Sequence, residues 1–293
     1  MSKYWVASHI SGIFTIHDEH PDPLYRGSQG AGFSISRGAK TLIEYSDDKK
    51  HHFYFNEEEV EKEKANVTNN VLNQILVLQK NRGESDFGIS IYHDFDVPLS
   101  CGFGASASGA LGCSFALREF LDLEITDKYL YGVAHIAEIN EGGGLGDILA
   151  LYQGGYEIRT REGAPFIGDA KNLITNGYKI ATLSFGEIAT KSVIRNPNWK
   201  EKINNVGRVL IENLIAEPTI RNFATVSQQF SISSFLATPQ IIEYMKNLET
   251  EDILVGQIML GNGIFLLYKD DSNLPKIDGL IKEELCFSAV RKL

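Results

Sequence analysis

The residues of this chain best suited to chemistry lie in short glycine-rich stretches. The first, Pro98 to Gly112, reads PLSCGFGASASGALG and sets Gly102 and Gly104 just ahead of two hydroxyls, Ser106 and Ser108. The segment before it, Phe87 to Val97, is rich in β-formers and stops at Pro98; the segment after it carries Leu111, Phe115 and Leu117. The pattern predicts strand, loop, helix. A helix start leaves backbone N–H groups without partners, and the helix dipole adds partial positive charge there. Gly102, Gly104, Ala105, Ser106, Ala107 and Ser108 are therefore the expected phosphate seat. Glycine at 102 and 104 permits positive φ and close approach of the backbone to an anion. Ser106 can offer its hydroxyl to a metal that bridges phosphates. No Gly-Lys-Ser/Thr follows, so this is not a Walker loop, and the same spacing also serves a plain strand-to-helix turn.

A second glycine loop, Gly142 to Gly146, ends in the carboxylate of Asp147. On the helix expected just before it, spacings of four and three place Tyr131, His135 and Glu138 along one face. An imidazole and a carboxylate pointing the same way can be a surface ion pair or part of a site. Asp147 itself can cap the helix predicted over Ile148 to Tyr152 or act as a base, and the two roles are compatible. A third stretch, Gly27 to Gly32, reads GSQGAG and contains Ser28; His9 precedes it on a loosely alternating β segment over residues 3 to 16. Arg159 and Arg161 lie two apart on the strand within GGYEIRTREGAPFIG and are expected on one face.

Other elements must hold these loops. Asn56 followed by EEEVEKEK reads as an N-cap and an acidic first turn, leading into Val60, Val67, Val71, Ile75 and Leu78 at helical spacing, with Gly83 as the stop. Thr126 is expected to cap a helix that buries Leu130, Val133, Ala134 and Ala137. Residues 166 to 176 read as a boundary, dividing the chain into domains 1–168 and 169–293. Beyond it come a strand over Tyr178 to Phe185, helices from about Asn198, over Thr219 to Phe235 and after Pro239, then strands over Ile253 to Met259 and Gly263 to Tyr268 and a short one near Cys286. This alternation suits an α+β fold.

With 43% hydrophobic and 23% charged residues, the 293-residue chain can bury a substantial core, and its net charge of −10 offers no basic footprint for nucleic acid. Cys101, Cys113 and Cys286 lack metal-ligand spacing and are odd in number, as in a reduced protein. The opening MSKYWVASHISG has no signal-peptide pattern and no run of 18 apolar residues occurs, so neither membrane nor export is expected and the cytoplasm is the predicted location.

Several of these strings, in the same order, resemble the GHMP small-molecule kinases, and among them the archaeal pantoate kinases. GFGASASGAL is similar to the second GHMP motif, Pro-x-x-x-Gly-Leu-Gly-Ser-Ser-Ala, with Phe103 for Leu and Ala105 for the first Ser. ASHISGIF and GSQGAG resemble two early segments, departing from them at Ala7, Ser8 and Gln29. AHIAEINEGGGLGDILA and GGYEIR followed by Gly-Ala-Pro complete the match, and VGQIMLGNGIFLL stands in place of the third motif. The resemblance implies a GHMP kinase fold, with an N-terminal ribosomal-S5-domain-2-like domain and a C-terminal ferredoxin-like domain. It implies ATP as co-substrate, Mg²⁺ held by Ser106 and Glu138, Asp147 as the catalytic carboxylate, and Ser28, His135, Arg159 and His9 as substrate contacts, with the Arg159 fork suited to a carboxylate. The implied reaction is phosphorylation of pantoate to 4-phosphopantoate for coenzyme A, and a homodimer is allowed. A related kinase for mevalonate or homoserine, and a non-catalytic nucleotide-binding protein, are the alternatives.

Overall fold

The computed structural model describes residues 2–80, 87–186 and 197–293. The helix stop expected at Gly83 lies outside them. A long strand, β2 (Gly30–Ser46), is the spine of the first sheet. β1 (Ser2–Phe14) runs antiparallel along its whole length, with bulges at Ala7/Ser8 and Ser11/Ile13. The far half of β2, from Ala39 to Ser46, pairs with β5 (Gly88–Phe95), while its first residues, Gly30 to Phe33, pair with β6 (Tyr156–Arg161). β3 (His52–Phe55) lies parallel to β5 and carries β4 (Glu58–Val60); β7 (Asp169–Asn172) pairs with β6. β12 (Val290–Lys292) returns the end of the chain to β1. A second, antiparallel sheet has the order β11-β8-β10-β9, from β8 (Lys179–Gly186), β9 (Ile253–Gln257), β10 (Asn262–Tyr268) and β11 (Ile281–Glu283).

The helices cover these sheets. α2 (Ala105–Phe120) lies on β1 and β2, flanked by α1 (Asn66–Lys80) and α3 (Asp127–Glu141). Its alanines and glycines allow this close packing, since a side chain at Gly112 would meet Thr41 Oγ1 at 2.3 Å. The hydroxyl of Thr126 caps α3 by accepting from Tyr129 N–H, as expected. α4 (Asp147–Gln153) follows the second glycine loop. α5 (Pro197–Ala216) and α6 (Ile220–Ser233) fill the space between the sheets, and α7 (Pro239–Leu248) backs the second sheet.

One expectation is corrected. Asn56 does not begin a helix: Asn56 and Glu57 have φ of 49° and 70° and make the turn of the β3–β4 hairpin, with α1 starting ten residues later. Asn56 accepts instead from Phe95 N–H, so pairing with distant β5 overrides the local acidic-turn signal. The boundary at residue 168 falls inside the β6–β7 hairpin, and β12 belongs to the first sheet, so the sheets do not divide the chain into two sequential pieces. They share one core: Phe223 stacks on Phe265 with centroids 5.5 Å apart, and Phe33 of the first sheet meets Phe265 edge-on at 5.2 Å.

Candidate active site

The N-terminus of α2 opens into a cavity of about 710 Å³, bordered by both glycine loops, the start of α1, Ser28, Arg159 and the Met259–Leu260 turn. Gly104 precedes the helix in the left-handed conformation (φ 64°) and no side chain caps the first turn. The first N–H groups of the helix are thus without a side-chain cap where they meet the cavity. Gly102 (φ 81°) and Gly104 need their positive φ, as predicted, but the close approach they permit is to protein backbone. A Cβ on Gly102 would lie 2.6 Å from the Met259 carbonyl oxygen, and one on Gly104 2.9 Å from that of His9. Gly261 lies as tightly against Cys101, so the Met259–Asn262 turn buttresses the first glycine loop from the second sheet.

Across the cavity, the second glycine loop is shaped around three charged side chains. A Cβ on Gly143 would sit 2.4 Å from Glu138 Oε2, one on Gly144 1.7 Å from Asp147 Oδ2, and one on Gly146 2.7 Å from Arg159 Nε. Glu138 is buried; its Oε2 accepts from Ser106 Oγ at 3.1 Å and from Gly144 N–H at 2.6 Å. This brings together the two residues expected to hold a metal, a hydroxyl and a carboxylate beside the phosphate loop. Such hard oxygen donors fit Mg²⁺, which takes few protein ligands.

Asp147 is the first residue of α4; Gly146 occupies the cap, so the capping alternative does not apply. Its side chain is 16% exposed and lines the cavity, while Oδ1 pairs with His9 Nδ1 at 2.7 Å. His9 lies behind it, fully buried, with Nε2 2.9 Å from Glu157 Oε1. Burial opposes the charged imidazole, but the hydrogen bonds and charges of Asp147 and Glu157 together outweigh it and raise the His9 pKa above 6.5. Arg159 closes the group: Nη1 donates to Glu157 Oε1 at 2.6 Å and Nη2 to Ser11 Oγ at 3.2 Å. Arg161 does not share its face, because a bulge between the two positions breaks the alternation and turns Arg161 outward, toward a separate surface cleft beside His17 and Phe166.

Ser28 lines the cavity, its hydroxyl donating to the Gln29 carbonyl at 2.8 Å. Three predicted residues lie elsewhere. Ser108 is buried, with Oγ donating to the Ala7 carbonyl at 2.7 Å and 3.1 Å from Ser8 Oγ, and Ala107 is buried among apolar neighbours, because both face β1 across the packed side of α2. His135 is 1% exposed and its Nε2–H donates to the Arg26 carbonyl, which fixes the loop before β2; burial pulls its pKa down to about 4. Gln29 is tied to Glu162 at 2.9 Å. Residues missed from sequence include Glu157 in the buried cluster, and Ser11, Lys64 and the apolar Phe55, Val67, Phe95 and Leu99 in the cavity lining. For Glu157 a signal existed, an acid two residues before Arg159 on the same strand and so on the same face.

This fold and this arrangement define a GHMP kinase. The family described as GHMP kinases N terminal domain matches residues 69–155. A homoserine kinase from Cytophaga hutchinsonii, 16% identical, superposes over 100% of this chain and 97% of its own with a TM-score of 0.70, showing the same fold. A solved phosphotransferase related to the CoA biosynthesis pathway is 28% identical and superposes with a TM-score of 0.84 over 99% of this chain and 97% of its own. The pantoate kinase of Thermococcus kodakarensis is 32% identical over 92% of this chain and 88% of its own length. That of Methanocaldococcus jannaschii is likewise 32% identical, over 90% and 92%. The chain belongs to the pantoate kinase family of the GHMP superfamily.

Proposed function

We propose that this chain transfers the γ-phosphoryl group of ATP to the primary hydroxyl of pantoate, giving 4-phosphopantoate and ADP. The observation that carries this reading is the position of the Asp147 carboxylate, in the wall of the cavity that the uncapped N-terminus of α2 enters. The cavity volume is ample for a nucleotide with a small hydroxy acid. The apolar recess of Phe55, Val67, Phe95 and Leu99 suits the base, and the helix start with Lys64 supports the phosphates. In a chain of net charge −10, that seat relies on backbone dipoles more than on side-chain charge.

Ser106 and Glu138 would hold Mg²⁺, which when bound supplies counter-charge to the phosphate oxygens. The hydroxyl oxygen of pantoate forms the new bond to the γ-phosphorus as the bond to the bridging oxygen of ADP breaks, and the hydroxyl proton passes to Asp147. With Oδ1 held by His9, Oδ2 is the oxygen that receives it. Ser28 and Arg159 line the cavity and are the groups for the pantoate carboxylate. The test is ADP formation by the purified protein with Mg²⁺ and pantoate, mevalonate or homoserine, with the site of phosphorylation read by ³¹P and ¹³C NMR. Pantoate-dependent turnover with phosphate on the primary hydroxyl is expected; a preference for either of the other alcohols overturns the choice of acceptor.

A further inference from the structure

The buried group behind Asp147 contains a carboxylate that the phosphoryl-transfer reading does not use. Glu157 is fully buried on β6, two residues from Arg159, and its charged partners are His9 and Arg159. One of its oxygens, Oε1, faces both His9 Nε2 (2.9 Å) and Arg159 Nη1 (2.6 Å). His9 is gripped from both sides: Nδ1 points at one carboxylate and Nε2 at another. An ionised carboxylate only accepts hydrogen bonds, so a neutral imidazole, with a single N–H, can satisfy one of the two contacts and sets a lone pair against the other. Arg159 Nη1 has a second N–H and lies 3.4 Å from His9 Nε2, a long contact beside the 2.9 Å approach of Glu157 Oε1, which still faces the Nε2 lone pair of a ring protonated only on Nδ1. With both imidazole nitrogens protonated, the formal charges of Asp147, His9, Glu157 and Arg159 sum to zero, and the group can be buried without a net charge.

We propose that Glu157 is a positioning residue for the phosphoryl transfer: the shared buried counter-charge of His9 and Arg159, it fixes the imidazole that orients Asp147 and ties off one end of the guanidinium. This rests on the kinase reading above for its catalytic consequence, and on geometry alone for the state of His9. The charged groups facing His9 are Asp147 from α4 and Glu157 and Arg159 from β6; the two acids favour its proton and the arginine opposes it. Removing the charge of Glu157 therefore leaves Arg159 acting on His9 with only Asp147 to offset it.

The experiment combines histidine-labelled NMR of the whole protein, without substrates, and pH profiles of kcat and KM for Glu157→Gln and Glu157→Asp. The His9 signals are assigned by their loss in His9→Gln. In the wild type they are expected to show protons on both ring nitrogens at pH 7. In Glu157→Gln, the alkaline limb of kcat should move to lower pH by about one unit or more, a tenfold or larger change in the proton equilibrium. KM for ATP should stay within about twofold, because Glu157 is buried behind the cavity wall and does not line it. Glu157→Asp, which keeps the charge, should hold the limb near its wild-type position. A limb that does not move in Glu157→Gln overturns the proposal even if kcat falls, since a merely structural loss lowers kcat without shifting it. If that variant does not fold, the wild-type spectrum decides: a neutral His9 tautomer at pH 7 overturns the proposal. A doubly protonated His9 in a protein that does not phosphorylate pantoate supports the charge assignment and rejects the acceptor instead.

Discussion

At the scale of single residues, Asp147 carries the proposed proton transfer while three buried histidines are pushed in opposite directions. Asp147→Asn keeps the shape of the site and the partner of His9 while removing the proton acceptor. It is expected to bind ATP nearly as the wild type does and to lose about 10²- to 10⁴-fold in kcat, measurable by equilibrium binding alongside steady-state turnover; near-normal turnover would remove Asp147 from the chemistry. The histidines divide by sign. Burial drives His93, bracketed by the hydroxyls of Thr41 and Thr68, down to about 3, and His135 down to about 4. Both are neutral in the folded chain, so the stability they contribute is present above the unfolded value of about 6.5 and is lost as pH falls toward their folded values. By linkage each costs about 2 kcal/mol at pH 5 relative to neutral pH. His9 is raised, so its contribution is full below about 6.5 and fades as pH rises through its folded value. Urea midpoints measured from pH 5 to 7 should therefore climb with pH, and more shallowly in His135→Gln; an unchanged slope in that variant would show that His135 does not titrate on unfolding.

At the scale of elements, the second glycine loop is a mould for side chains rather than a flexible hinge. Gly143→Ala would force its methyl into Glu138, and Gly144→Ala into Asp147, so each displaces a group on which the proposed chemistry depends. Overpacking of this kind costs about 1–3 kcal/mol. We expect both variants to fold and to lose most of their turnover, with Gly143→Ala raising the Mg²⁺ concentration needed for half-maximal rate and Gly144→Ala leaving it near wild type. Equal Mg²⁺ dependence in the two would argue against separate roles for Glu138 and Asp147. Thr126→Ala serves as the contrast: loss of the α3 cap should lower stability by about 1 kcal/mol in denaturant titration, with kcat within about twofold.

At the scale of the whole molecule, the cavity is assembled by both sheets, because the Met259–Leu260 turn braces the phosphate loop and Met259 N–H donates to the Ser11 carbonyl at 3.0 Å. The Phe33, Phe223 and Phe265 cluster joins the sheets through one apolar core. Phe265→Ala is expected to cost about 3–5 kcal/mol, and to lower the unfolding midpoint while circular dichroism and intrinsic fluorescence still report a single transition. Two separated transitions would mean that the sheets unfold as independent units.

Local chemistry was enough to locate the loop-to-helix turn at Gly102 and Gly104, the cap at Thr126 and the glycine loop ending at Asp147, because each depends on residues close in sequence, whereas the meeting of Ser106 and Glu138, on two different helices, was implied only by the family resemblance. It was not enough to say which face meets the cavity. Ser108 and His135 have the right types at the right spacing, yet one is bonded into β1 and the other to Arg26. The β3–β4 hairpin at Asn56 was hidden for the same reason, since its partner strand β5 lies more than thirty residues away. The cluster of His9, Asp147, Glu157 and Arg159 is the extreme case. Residues from β1, α4 and β6 meet only when β1 and β6 pair along opposite edges of β2 and α4 packs against them, and the charge balance that governs them exists only in that shared burial.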